Sequence, residues 1–129
     1  MYKPYVVKSL NEPVTNTVVK QNEPTKVRTV ISEETSKKVR EALESVVTNG
    51  TGRPAYIEGY RVGGKTGTAQ KVQNGRYMVG NYIVSFIGFL PADDPEIIVY
   101  VAVDNAKGVT QYGGTIAAPI AKNVLTDAI

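Results

Sequence analysis

Gly59 to Gln70 reads Gly-Tyr-Arg-Val-Gly-Gly-Lys-Thr-Gly-Thr-Ala-Gln, and the fold turns on whether Lys65 opens a helix or lies in a strand. Gly59, Gly64, Lys65 and Thr66 satisfy G-x-x-x-x-G-K-[ST], the pattern of a phosphate-binding P-loop, and Ile97–Asp104 resembles the acid-ended, magnesium-binding strand of such proteins. A P-loop needs a helix that begins at the Lys-Thr, because the free amides of that helix hold the phosphates. Gly67, Thr68 and an Asn74-Gly75 hairpin signal follow instead, and they are poor helix material. A P-loop also sits near the start of a βαβ array, whereas this chain turns to consecutive strands. The nucleotide-binding reading is therefore the weaker one.

As a strand the same residues make chemical sense. Alternation places Thr66, Thr68 and Gln70 on one face and Lys65, Gly67 and Ala69 on the other. Two hydroxyls two residues apart stand about 6–7 Å from each other and can bracket a carboxylate, with the Lys65 ammonium adding positive potential. Gly67 leaves room where another backbone must approach. On a sheet edge, the free amides and carbonyls would pair with an extended peptide or face a developing oxyanion.

Composition narrows the chemistry further. The chain has 129 residues, enough for one domain, with no His, Cys or Trp. That excludes a Ser-His-Asp triad, an imidazole ligand, a thiolate nucleophile, a zinc finger and a disulfide. Any chemistry must use Ser, Thr, Lys, Asp, Glu, Tyr or backbone groups. Fifteen Lys+Arg against 12 Asp+Glu give a net charge of only +3, and the basic residues are scattered, so no nucleic-acid partner is expected. No apolar run approaches the ~18 residues of a membrane span, and the first residues do not resemble a signal peptide.

Around the central stretch the expected elements are short strands, two helices and a sheet. Residues 1–31 read as extended segments, Tyr5–Val7, Val14–Val19 and Val27–Ile31, between turns at Asn11-Glu12-Pro13 and Asn22-Glu23-Pro24. Ser32 is placed to cap a helix whose stripe is Val39, Ala42, Leu43, Val46 and Val47, stopped by Asn49-Gly50. Its Glu33/Lys37, Glu34/Lys38 and Arg40/Glu44 pairs read as a solvated face. Thr51–Ile57 reads as a loop. Tyr82–Leu90 and Ile97–Val103 read as strands joined by Pro91–Pro95, and Thr115–Ala128 as a helix with Pro119 near its first turn and Ile116, Ile120, Val124 and Leu125 buried.

Lys-Thr-Gly is also one of three motifs of the penicillin-recognising serine enzymes. Longer stretches carry the same likeness: Val30–Thr35, Val46-Val47 with Gly50-Thr51-Gly52, Gly64–Gln70, Ser85–Pro91 and Tyr112–Pro119. Together these resemble the class B penicillin-binding proteins of the cell-division and sporulation type, over essentially the whole chain. The resemblance implies an α+β fold: an antiparallel sheet with flanking helices, part of the transpeptidase or serine β-lactamase-like domain. It implies that Lys65 supports proton transfer and that Thr66 and Thr68 bind the carboxylate of a D-Ala-D-Ala stem peptide or a β-lactam. The Thr68 amide would be half of an oxyanion hole, Gly67 part of the substrate strand, and Gln70 a residue lining the cleft.

The nucleophile motif is missing. Ser9, Ser32, Ser36, Ser45 and Ser85 are followed three residues later by Glu12, Thr35, Val39, Thr48 and Gly88, never by Lys. Ser9-Leu10-Asn11 matches the third motif, Ser-x-Asn, but falls in a strand-to-turn segment. Residues 1–129 are therefore expected to be the C-terminal portion of a transpeptidase domain whose upstream half is absent, and inactive alone. A non-catalytic module that binds peptide carboxylates is the alternative. The resemblance implies no cofactor or metal, and a parent anchored in the cytoplasmic membrane with this domain on its outer side. Expected partners are peptidoglycan stem peptides, β-lactams and cell-wall synthesis or division proteins. In this family Ile97–Val103 lies between strands, so the isolated chain is expected to self-associate, swap strands or fold its N-terminal segment into the gap.

Overall fold

Asn74-Gly75 is the pivot of the sheet. The computed structural model describes all 129 residues. Asn74 and Gly75 both take positive φ, 50° and 74°, which is the geometry a two-residue hairpin requires. Taken in chain order, the elements are β1 (Tyr2–Lys3), β2 (Ser9–Asn11), β3 (Val18–Gln21), β4 (Thr25–Lys26), α1 (Glu33–Thr48), β5 (Gly63–Gln73), β6 (Arg76–Leu90), β7 (Ile97–Asp104) and α2 (Gly113–Ala128), with a 3-10 turn at Arg53–Ala55. The result is α+β, as the sequence implies, in two units.

The first unit, residues 1–35, contains no buried hydrophobic residue and is held by hydrogen bonds. β1 pairs with β4 and β2 with β3, both antiparallel. The Glu12 carboxylate accepts from the Val14 and Thr15 amides and the Thr15 hydroxyl, which closes the β2–β3 turn. Asn22 donates to the Val7 and Lys8 carbonyls. The expected strands at Tyr5–Val7 and Val27–Ile31 are not formed. Beyond β4, the Val27 and Arg28 amides both go to the Met1 carbonyl and the rest of that run has no pairing partner. These four short strands pair with one another in two two-stranded ribbons.

The second unit is a three-stranded antiparallel sheet in the order β5-β6-β7, with α2 against one face. Phe86, Val47, Val62, Leu90 and Leu125 form its core with Ala117, Ala118 and Ala121. The β5–β6 register sets Gly63 opposite Phe89 and Gly64 opposite Gly88. A Cβ on Gly63 would collide with the Phe89 ring, and one on Gly64 with the Phe86 ring. The two successive glycines thus make room for two phenyl rings on opposite faces of the sheet, which explains the Gly-Gly that precedes Lys65.

Two stripes differ from the expected ones. In α2 the buried positions are Ala117, Ala118, Ala121 and Leu125, whereas Ile120 and Val124 are 42% and 47% exposed. The small alanine face lets the helix lie close to a sheet that already carries Phe86 and Gly88. The helix also begins at Gly113, which moves Pro119 to its second turn. In α1, Ser32 caps the Thr35 amide as expected (3.1 Å) and Val47 is buried, but Val39 stays 47% exposed.

The Arg40/Glu44 pair is not a solvated i,i+4 pair either. Arg40 donates to the carbonyls of Ala92 and Asp93 and to the Ser36 hydroxyl. Glu44 instead takes both ends of the Arg61 guanidinium, at 2.9 and 2.7 Å, and Arg61 also reaches Asp93 at 2.9 Å. These contacts tie α1 to the entry of β5 and to the β6–β7 turn.

The Arg61 hydrogen bonds hold the Glu44 carboxyl below its ordinary value of 4.5, against some desolvation and the nearby Asp93 charge. A lowered carboxylate stabilises the fold fully above its unfolded pKa, and the contribution is lost as pH falls through the folded value. Chemical denaturation should therefore show stability declining as pH drops below about 4.5, with a smaller decline in Glu44→Gln, which is already weaker at pH 7.

Candidate functional site

β5 is an edge strand, so one side of its backbone is open. No helix follows Lys65: the chain remains extended to Gln73. That removes the P-loop reading, and Asp104, its candidate magnesium ligand, is paired with Lys71 at 2.6 Å. Thr66 and Thr68 share the α2 side of the strand with Phe86 and Val84, their register partners on β6. Gly67, between them, pairs with Ser85, whose hydroxyl occupies the space a Gly67 side chain would need.

The first turn of α2 completes the site. Gln111 fixes the approach: its carbonyl oxygen accepts from the Tyr82 amide (3.2 Å) and its side-chain amide donates to the Gly80 carbonyl (2.9 Å). This delivers Gly113 against β5. A Cβ there would collide with the carbonyl oxygens of Gly67 and Ser85, so the helix backbone rests on the sheet backbone. The same contact places the polar groups of Gly67 on the β6 side. By the two-residue alternation of a strand, the amides of Thr66 and Thr68 then point to the open edge. The Gly113 amide donates to Thr68 Oγ1 at 3.2 Å.

A cavity of about 360 Å³ opens here, lined by Thr51, Pro54, Thr66, Thr68, Tyr112, Gly113, Gly114 and Thr115. It gathers four hydroxyl-bearing threonines beside a helix N-terminus, a setting suited to an acceptor-only anion such as a carboxylate. A second hollow of similar size, lined by Lys37, Arg40, Arg61 and Asp93 among others, differs in kind. Its guanidinium groups are committed to Glu44, Asp93 and backbone carbonyls.

Lys65 and Gln70 sit apart from the hydroxyl cavity. Lys65 projects from the opposite face and its ammonium donates to the Thr66 carbonyl at 2.8 Å. Gln70 shares the hydroxyl face, as expected, but does not line the cavity: its side-chain amide donates to the Met78 carbonyl at 3.2 Å, across the register shift between Gln70 and Val72. Thr51 and the Tyr112–Thr115 turn join the site without having been expected there from the sequence. The signal for both was the pairing of small residues with Thr in Gly50-Thr51-Gly52 and Gly113-Gly114-Thr115.

A family model described as the penicillin binding protein transpeptidase domain matches residues 1–126. The chain belongs to this family. It is similar to stage V sporulation protein D of Bacillus subtilis, 61% identical over 129 residues, covering all of this chain and 20% of that protein. It is 42% identical over 111 residues to a probable peptidoglycan D,D-transpeptidase PenA of Neisseria flavescens, covering 85% of this chain and 28% of that protein. Among solved structures, the D,D-transpeptidase domain of a peptidoglycan glycosyltransferase from Eggerthella lenta superposes with a TM-score of 0.79 and 34% identity, over 98% of this chain and 27% of that one. Penicillin binding protein 3 from Mycobacterium tuberculosis, complexed with ampicillin, gives 0.77 and 30%, over 95% and 29%. The chain thus spans less than a third of the length of each of these relatives.

The contact at Gly113 yields a sharp expectation. Gly113→Ala sets a methyl against backbone carbonyls that cannot give way, so stability in urea should fall by ~1–3 kcal/mol. Thr115→Ala, at an exposed position of the same turn, should change it by no more than ~0.5 kcal/mol.

Proposed function

We propose that this chain supplies the Lys-Thr-Gly strand of a serine D,D-transpeptidase, an enzyme that cross-links peptidoglycan stem peptides and is acylated by β-lactams. The observation that carries the reading is the pair of hydroxyls, Thr66 and Thr68, one strand repeat apart on an open edge and shared with the first turn of α2. In this reading both hydroxyls bind the terminal carboxylate of D-Ala-D-Ala or of a β-lactam. A peptide lying along β5 extends the sheet, with Gly67 keeping the strand free of a side chain at its centre. The Thr68 amide faces the carbonyl oxygen that becomes negative during acyl transfer.

The nucleophilic Ser is assigned to residues outside these 129, because no Ser-x-x-Lys occurs within them. Lys65, on the face opposite the carboxylate site, is assigned to the proton-transfer network around that Ser. Gln70 is assigned to the far end of the substrate strand. The whole protein is proposed to be anchored in the cytoplasmic membrane with this domain outside, among cell-wall synthesis or division proteins. No helix of this chain is long and apolar enough to cross a membrane.

Labelled penicillin tests the assignment. The 129-residue chain should take up none. A longer protein that includes a Ser-x-x-Lys should be acylated, and Thr68→Val should slow that acylation by about tenfold to a hundredfold, the cost of one hydrogen bond to a charged group. A stable adduct on the chain alone would overturn the assignment of the nucleophile.

The isolated chain is also proposed to self-associate through β7. That strand has β6 on one side only, and its outer residues Ile98 and Tyr100 are 68% and 65% exposed. Size-exclusion chromatography should show concentration-dependent dimers. A monomer at all concentrations, with β7 amides open to exchange, would refute this.

A further inference from the structure

The loop after α1 presses a third hydroxyl onto the pair carried by β5. The Val46 carbonyl accepts from both the Gly50 amide (3.1 Å) and the Gly52 amide (3.0 Å), so the chain wraps tightly around the end of the helix. Thr51 lies between those two anchors. Its carbonyl packs on the α2 backbone at Gly114, where a Cβ would collide with it. Its Oγ1 is 3.1 Å from Thr66 Oγ1.

The direction of these hydrogen bonds matters more than their number. A threonine hydroxyl has one proton and two lone pairs, whereas a carboxylate can only accept. The Gly113 amide can only donate, so at that contact Thr68 is the acceptor and its single proton is left for the cavity. Between Thr51 and Thr66 either oxygen can carry the shared proton. If Thr66 donates to Thr51, it has nothing left for a carboxylate. If Thr51 donates to Thr66, the Thr66 proton is free to turn inward.

We infer that Thr51 is a positioning residue of the carboxylate site: its hydroxyl donates to Thr66 Oγ1 and so directs the Thr66 proton at the bound carboxylate, as the Gly113 amide does for Thr68. The inference rests on the carboxylate reading given above. Thr51 acts through Thr66, and its effect is confined to ligands that bring an anionic acceptor to that hydroxyl.

The test compares N-acetyl-D-Ala-D-Ala with its C-terminal amide, each titrated into the nitrogen-15-labelled chain, with the Gly113 and Thr115 amide signals as reporters. The wild-type chain binds the acid more tightly than the amide. Thr51→Val weakens acid binding by ~3–10-fold, the range of one hydrogen bond, and leaves amide binding unchanged. Thr51→Ala, which adds no bulk, gives the same acid-selective loss, and Thr51→Ser restores acid binding to within about twofold. Unchanged acid binding in Thr51→Val and Thr51→Ala overturns the inference. Equal losses for acid and amide also overturn it, because they mark a packing role. A wild-type chain that does not distinguish acid from amide refutes the carboxylate reading itself, and the inference with it.

Discussion

Gly113 lies directly on the backbone of β5 and β6, and the site exists only because that residue has no Cβ. The contact settles three matters together. It sets the height of α2 above the sheet, since the helix approaches as closely as backbone on backbone allows. It aims the first amide of the helix at Thr68. It also fixes one wall of the cavity, because Tyr112, Gly114 and Thr115 follow wherever Gly113 is seated. The alanine face of α2 and the glycines at 64 and 88 are the same solution repeated along the helix: side chains are trimmed wherever the helix, the sheet and the Phe86 ring must share space.

Polar contacts do for α1 what packing does for α2. Val47 is the one residue of α1 that is buried, and the remainder of the attachment runs through Arg40, Glu44 and Arg61. An exposed ion pair contributes little by itself. Here Arg61 meets two carboxylates and Arg40 meets two carbonyls and a hydroxyl, so the guanidinium geometry orients the helix as well as neutralising charge. The end of α1 determines where Thr51 sits, and through it the helix reaches the hydroxyl cavity.

Much of this was legible in the residues. Strand alternation across Lys65–Gln70 put the two hydroxyls on one face, Asn74-Gly75 marked the hairpin, and Ser32 marked the start of α1. Family resemblance added the fold class. What escaped the sequence were the relations between distant segments. Periodicity finds an apolar stripe but does not say which side a sheet face already carrying the Phe86 ring can accept, so Ile120 and Val124 were assigned to the core in place of Ala117 and Ala121. Likewise the i,i+4 rule pairs Arg40 with Glu44 from local spacing, while Arg61, 17 residues beyond Glu44, offers it a two-pronged partner. Thr51 was invisible for the same reason, since 15 residues separate it from Thr66.

The register also divides the site strand into two mechanical regimes. β7 backs β6 only from Ile83 onward, and the register shift between Gln70 and Val72 falls at that boundary. Beyond it the register pairs only Val72 with Tyr77 and Gln73 with Arg76, and such a short two-stranded tip, with Tyr77 exposed, is marginally stable in water. Local opening of the Gln73–Arg76 tip can therefore proceed without disturbing Thr66 or Thr68, whose register partners are clamped by β7. The hydroxyls stand on the half of the strand that β7 backs through β6, and Gln70 marks where that backing ends.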